Sequence, residues 1–452
     1  MTRSAALPLF AAMVALAASS PAASAACLIH TGVPDESKSP TDESQPHFDL
    51  EDNLTGDWFG LRNWLYDHGA DINGSYVAEP AFNPSGGVQR GATYLHNIGL
   101  SGLFHLDKLI GLPHSDFLVT FSQRSGRGLT QDKIGNAISV QQIYGGGETY
   151  RLVQMRMTHH LFDDRLTLSY GRVTATADFL TSPFYCAFVN NGICGQPPAP
   201  FFNMPNGITA YPQGTWGAVA ALKLPQETYV KFGVYDGDPN VGDDVSQHGA
   251  NFSFGRNGVL MLAELGWKPK EGFFGMPGRY SFGGYYHTDH EPDVARDVLN
   301  GNRFLTGLPA LEHDSQEGYY LLFEQMLHRN AGRPETGLNA FTTFVASPNE
   351  TKSVIPYFLN GGLVYQGLIP GRPNDKLALG GYYASYSSDL RNAQREAGLA
   401  PQHAETDLEL NYQVQVTPFF YVRPNIQYVI QPNGQTNIEN ALVLGAEVGI
   451  TF

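Results

Sequence analysis

Beyond its first 25 residues the sequence has no run of eighteen apolar residues, so nothing after that point can cross a bilayer as a helix. Charge is sparse too. Asp, Glu, Lys and Arg make up 16% of 452 residues, and 28 basic against 43 acidic groups leave a formal net charge of -15. A chain of that sign has no electrostatic hold on a polyanion, which excludes nucleic acid as a partner. Acidic outer loops suit cations bridging to an anionic cell surface, such as outer-membrane lipid and lipopolysaccharide. Cysteine is nearly absent, with three residues in all. Cys186 and Cys194 close the short segment CAFVNNGIC and read as a disulfide staple in an oxidising compartment, leaving Cys27 over. There is no zinc-ligand spacing and no G-x-S-x-G elbow, and the adjacent His159 and His160 face opposite sides of a strand. These absences argue against an enzyme or a metal site.

The two chain ends carry the positive signals. Residues 1–25 run from Arg3 through LPLFAAMVALAA to Ala23-Ser24-Ala25, the n-region, apolar stretch and small-residue site of a signal peptide. Acylation of Cys27 would need a large apolar residue three positions earlier, where Ser24 stands. Residues 26–53 are polar, with Pro34, Pro40 and Pro46, and read as an extended leader. Residues 54–69 predict a short amphipathic helix: Thr55 or Asp57 caps it, Trp58, Leu61, Leu65 and His68 share a face, and Gly69 ends it.

From residue 70 to 452 the period is two. At the C-terminus Leu442, Leu444, Ala446, Val448, Ile450 and Phe452 oppose Val443, Gly445, Glu447, Gly449 and Thr451. Upstream, Val153, Met155 and Met157 oppose Gln154, Arg156 and Thr158, and Val422, Ile426 and Tyr428 oppose Tyr421, Arg423, Asn425 and Gln427. The polar faces carry Gln, Asn, Arg and Thr, the lining of a water-filled lumen. Paired aromatics such as Tyr285-Tyr286, Tyr319-Tyr320 and Tyr382-Tyr383 suit interfacial girdles. The expected fold is all-β, a transmembrane antiparallel β-barrel in the outer membrane of a Gram-negative bacterium. At about 24 residues per strand and connection the length fits sixteen strands, with fourteen or eighteen also compatible. The stretches at about 180–213 and 289–316 are long enough to fold inward as constrictions. The sequence leaves monomer or homo-oligomer open.

Five stretches in order resemble the carbohydrate-selective porins, the OprB family. They are residues 54–91 (LTGDWFGLRNWLYDHGADINGSYVAEPAFNPSGGVQRG), 143–154 (IYGGGETYRLVQ), 161–173 (LFDDRLTLSYGRV), 362–383 (GLVYQGLIPGRPNDKLALGGYY) and the C-terminal end from ELNYQVQVT to ALVLGAEVGITF. The resemblance covers essentially the whole chain after the signal peptide and implies a sixteen-stranded barrel passing small neutral sugars such as glucose down their gradient, with no cofactor. The leader falls outside the family pattern. The alternative is a general porin that filters by size and has no sugar site.

A sugar site needs aromatic faces for C–H surfaces and charged or amide groups for hydroxyls. Glu79, on the lumen face of the first strand, and Arg90, just past the glycines of the turn, are the first candidates and could pair across the lumen. Arg124, Arg156 and Arg423 are lumen-facing by alternation or by family likeness, and Trp216 offers an aromatic platform unless it serves in a girdle.

Overall fold

A computed structural model describes residues 53–145, 148–205, 207–238, 248–255 and 258–452. The expected signal peptide, Cys27 and nearly all of the expected leader lie outside the described residues.

The alternating segments become one closed antiparallel sheet. Its strands are β1 (Ala70–Ala78, continued by Ala81–Ser85), β2 (Gly91–Thr93, continued by Leu95–His105), β3 (Ser115–Gly126), β4 (Tyr150–Leu161), β5 (Leu166–Val173) and β6 (Thr215–Lys223). They continue as β7 (Thr228–Asp236), β8 (Val259–Trp267), β9 (Gly278–His287), β10 (Gln316–Asn330) and β11 (Arg333–Ala346). The last five are β12 (Tyr357–Gln366), β13 (Lys376–Ser385), β14 (Ala404–Thr417), β15 (Phe420–Ile430) and β16 (Ala441–Thr451). The sheet has eighteen segments, and because the first two strands are each interrupted once they close as sixteen. Closure sets Ser75 opposite Thr451 and Val77 opposite Gly449. β1 is interrupted at Glu79-Pro80, where proline has no N–H to give to the ladder. Ala446 N still reaches Pro80 O at 3.1 Å, so the wall does not open there.

The burial pattern is inside-out. Phe121, Phe232, Leu265, Leu321, Leu379 and Leu410 are 46–57% exposed, while Glu79, Asn97, Gln154, Thr343, Asn360 and Glu409 are 0% exposed. Hydrocarbon offers no hydrogen bonds, so the outer face is apolar and the polar half of each strand turns inward. Connections alternate between short (162–165, 224–227, 331–332, 418–419) and long (127–149, 174–214, 288–315, 386–403). The long ones gather at the extracellular end. The turn after β4 reverses through Phe162, Asp163 and Asp164, all at φ 55–59°.

Three points refine the sequence reading. The segment 54–69 forms the expected helix, α1 (Leu61–Asp67), preceded by a 3-10 turn at Trp58–Gly60, and a polar side chain ties it to the barrel. Phe59, Leu61 and Trp64 are exposed, and the buried side chain is Arg62. Its Nη2 donates to Ile72 O at 2.9 Å and to the carbonyl oxygen of the terminal Phe452 at 2.7 Å, tying α1 to both strands at the closure seam. Arg62→Ala strands these acceptors and is expected to cost about 3 kcal/mol, read as a lower urea midpoint for unfolding. The second is at Val153, which is fully buried and not on the lipid face. The β3–β4 register shifts there, from Thr120 opposite Gln154 to Phe121 opposite Leu152, so a bulge takes Val153 out of the alternation.

The third concerns the tyrosine pairs. Consecutive strand residues face opposite sides, so only one of each pair can meet lipid. Tyr286, Tyr319 and Tyr383 do, whereas Tyr285, Tyr320 and Tyr382 are buried inside. Inward tyrosines lie over glycines directly across the ladder: Tyr320 over Gly283, Tyr285 over Gly318, Tyr229 over Gly266, Tyr235 over Gly217, Tyr421 over Gly449. A Cβ on Gly283 would sit 2.1 Å from the Tyr320 ring. Three of these hydroxyls then donate to inward carboxylates, Tyr229 and Tyr320 to Glu264 and Tyr421 to Glu447.

Candidate functional site

Two long connections fold into the barrel. The loop 174–214 runs against the wall and is held on several sides. Arg156 grips Asp178 through two bonds of 2.8 and 3.0 Å, Lys231 Nζ donates to Asp178 O at 3.0 Å, and Arg279, itself paired with Glu324, donates to Thr181 O. Across the lumen Glu409 accepts from Val189 N and Asn190 N, both at 2.9 Å, and from Asn190 Nδ2 at 2.7 Å. Asn360 and Asn411 donate to Gly192 O and Ala187 O. Phe188 and Tyr185 fill the remaining space against Phe341, Val364 and Ala378 of β11–β13. Burial pushes the Tyr185 phenol above its ordinary value, so it stays neutral beside Thr343.

The loop 127–149 enters from the other side, an inward fold that the sequence reading missed. Glu405 accepts from Ala137 N at 2.7 Å and Ile138 N at 3.0 Å, Gln427 donates to Val140 O, and Ile143 N reaches Glu79 at 3.4 Å. The loops bind each other through Asn191 N to Ser139 O and Gln142 N to Val189 O. The stretch 289–316 forms a small hairpin, Glu291–Asp297 with Ala310–His313, packed beside the helix Ser388–Glu396, and its Val294 and Ala295 join a buried cluster with Ala199, Met204 and Ile208 of the loop 174–214.

Where the two loops meet β3 lies a cavity of ≈ 40 Å³, lined by Arg124, Gln142, Thr176, Asn191, Gln196 and Tyr211 among others. Arg124 extends from the lumen face of β3 over the Tyr211 ring at 5.3 Å. Its Nε donates to Asn97 Oδ1 at 3.4 Å and its Nη1 to Gly145 O at 3.0 Å.

Of the sugar contacts expected from sequence, Arg124 alone lines this cavity, and Cys186 of the expected disulfide lines it as well. Glu79 is fully buried behind the loop 127–149, and Arg90 is exposed on the outer turn; the ion pairs given by the described residues include none between them. Arg156 is committed to Asp178, and Arg423 to Glu447 at 3.0 Å and Gln413 at 2.5 Å. Trp216 does not face the lumen. It shares its side of β6 with Ala220, which stands opposite the lipid-exposed Phe232, and it packs on Phe252 and Phe254 at 5.9 and 5.5 Å. Cys186 and Cys194 lie in contact with each other inside the loop 174–214. Tyr211, Gln142, Asn191 and Gln196 were missed because loop residues carry no periodicity. The proline-rich composition of 180–213 marked the right segment but not its side chains.

A closed sixteen-stranded barrel with a lipid-facing apolar exterior and a lumen narrowed by inward loops defines an outer-membrane porin. The comparisons agree. Residues 89–452 match the family described as "Carbohydrate-selective porin, OprB family". The chain is 30% identical to Porin B of Pseudomonas aeruginosa over 88% of its length and 91% of that protein's. It is 29% identical to the putative porin QuiX of Acinetobacter baylyi, with 88% and 93% covered. A high-pH structure of Pseudomonas putida OprB superposes with a TM-score of 0.83 at 30% identity, covering 89% of this chain and 99% of that one. The chain belongs to the OprB family of carbohydrate-selective porins. It is a channel and not an enzyme.

Proposed function

We propose that small neutral sugars, glucose among them, diffuse through the constriction where the loops 127–149 and 174–214 meet β3, and that Arg124 and Tyr211 are their main contacts there. The observation that carries this is the guanidinium stacked on a tyrosine ring in a cavity otherwise lined largely by amides and hydroxyls. Ring C–H groups would lie on Tyr211 while hydroxyls exchange water for Arg124, Gln142, Asn191 and Gln196. One ring and a few exchanged hydrogen bonds keep binding weak enough for exit. Glu79, Arg156 and Arg423 are assigned to holding the loops.

Open-channel current in planar bilayers tests this. Glucose is expected to block saturably at millimolar concentration, and a size-matched neutral non-sugar is not. Tyr211→Ala should raise the half-blocking concentration by about three- to tenfold, the worth of one aromatic contact. Equal, non-saturating effects of both solutes would leave a size filter with no sugar site.

Two further expectations concern the surroundings of the pore. In an oxidising compartment the Cys186–Cys194 contact would close as a disulfide. The non-reduced peptide should then be two hydrogens lighter, and two alkylated cysteines would refute it. Exposed Glu312 and Asp314 at the long-loop end would meet lipopolysaccharide through divalent cations. Chelator should then strip co-purifying lipopolysaccharide, and retention unchanged by chelator would refute it.

A further inference from the structure

Three arginines of the lumen are neutralised by carboxylates: Arg156 by Asp178, Arg279 by Glu324, Arg423 by Glu447. Arg124 differs. It is 7% exposed, its partners are an amide oxygen, a backbone carbonyl and an aromatic ring, and its Nη2 has no hydrogen-bond partner among the described residues. Among the described residues no carboxylate lines the cavity that Arg124 borders.

The carboxyl of Glu79 acts on Arg124 from behind the loop 127–149, and it lies against that of Glu447, which pairs with Arg423 at 3.0 Å. A protein of net charge -15 thus sets at this cavity an arginine whose hydrogen-bond partners among the described residues carry no negative charge.

We infer that this constriction selects anionic sugars, hydroxylated carboxylates of the uronic acid class, over neutral sugars of the same ring size, with Arg124 receiving the carboxylate through its free Nη2. The sugar hydroxyls would meet Gln142, Asn191 and Gln196 as a neutral sugar's do. A charge–charge contact in a site largely closed to water is far stronger than in bulk solution. The inference rests on the channel reading above and extends it to a second substrate class.

The test is current block by glucuronate against glucose, which share the pyranose ring, in 0.1 M KCl with the full-length protein. Glucuronate is expected to half-block at about one-tenth the glucose concentration. That ratio should fall in 1 M KCl, where chloride competes for Arg124 and the approach to the pore is screened over about 3 Å. It should also collapse in Arg124→Gln and persist in Arg124→Lys. If Arg124→Gln does not insert, the salt dependence of the wild type and Arg124→Lys decides. Glucuronate blocking no better than glucose, or a preference unchanged by salt or by Arg124→Gln, would overturn the inference while leaving the sugar channel intact. Block by glucuronate with none by glucose would instead count against the neutral-sugar reading alone.

Discussion

Glu409→Ala is expected to raise single-channel conductance severalfold and abolish saturable glucose block. Glu409 is the acceptor that holds the tip of the loop 174–214, taking Val189 N, Asn190 N and Asn190 Nδ2 on its two oxygens, with Asn411 Nδ2 beside them at 2.6 Å. Removing it leaves buried donors without partners at about 1–3 kcal/mol each. The loop can satisfy them only by leaving the wall and meeting water. The barrel ladder does not use the Glu409 side chain, so the protein should still insert. Single-channel recording checks it: conductance equal to the wild type would show that the remaining anchors, chiefly Arg156 with Asp178 and Asn360 with Gly192, hold the loop unaided.

The second large effect is at Gly283. A valine there places its Cβ 2.1 Å from the Tyr320 ring, which cannot move without releasing Glu264. Overpacking costs about 1–3 kcal/mol and the severed buried hydrogen bond about as much again. Gly283→Val is therefore expected to lower the yield of folded barrel sharply, seen as loss of the heat-modifiable band on a gel. Adding Tyr320→Ala should restore much of it, because the clash and the wedge vanish together. Additive damage in the double variant would mean that Gly283 is needed for some other reason.

Much of the barrel could be read from alternation. In the C-terminal strand Leu444 meets lipid and Glu447 the interior, and in β15 Ile426 and Tyr428 face out while Arg423, Asn425 and Gln427 face in. Such a pattern is legible because the bilayer imposes one chemical rule on every second residue, strand after strand. It failed where the period failed, at the Val153 bulge, and where two aromatics in succession were assigned to one side.

The site was legible in part. Alternation placed Glu79, Arg156 and Arg423 inside correctly, and that is all it could do. Whether an inward arginine meets solute, a carboxylate or a folded loop depends on residues distant in sequence: Asp178 for Arg156, Glu447 for Arg423, the segment 137–143 for Glu79. The same limit hid Glu405 and Glu409. Their i, i+2, i+4 spacing with Asp407 on β14 put acids on the lumen face, but nothing local says that loop N–H groups would arrive to cap two of them.

Compartment, architecture and the sidedness of each strand are thus written in local order, since export signals and the lipid boundary act on short stretches of chain. The narrow point of the pore is decided only in three dimensions. Two loops separated from their anchors by as many as 268 residues enter one lumen and compete for its polar groups. Glu79, Glu405, Glu409, Asn360 and Gln427 are taken up in holding the loops, whereas the partners of Arg124 carry no negative charge.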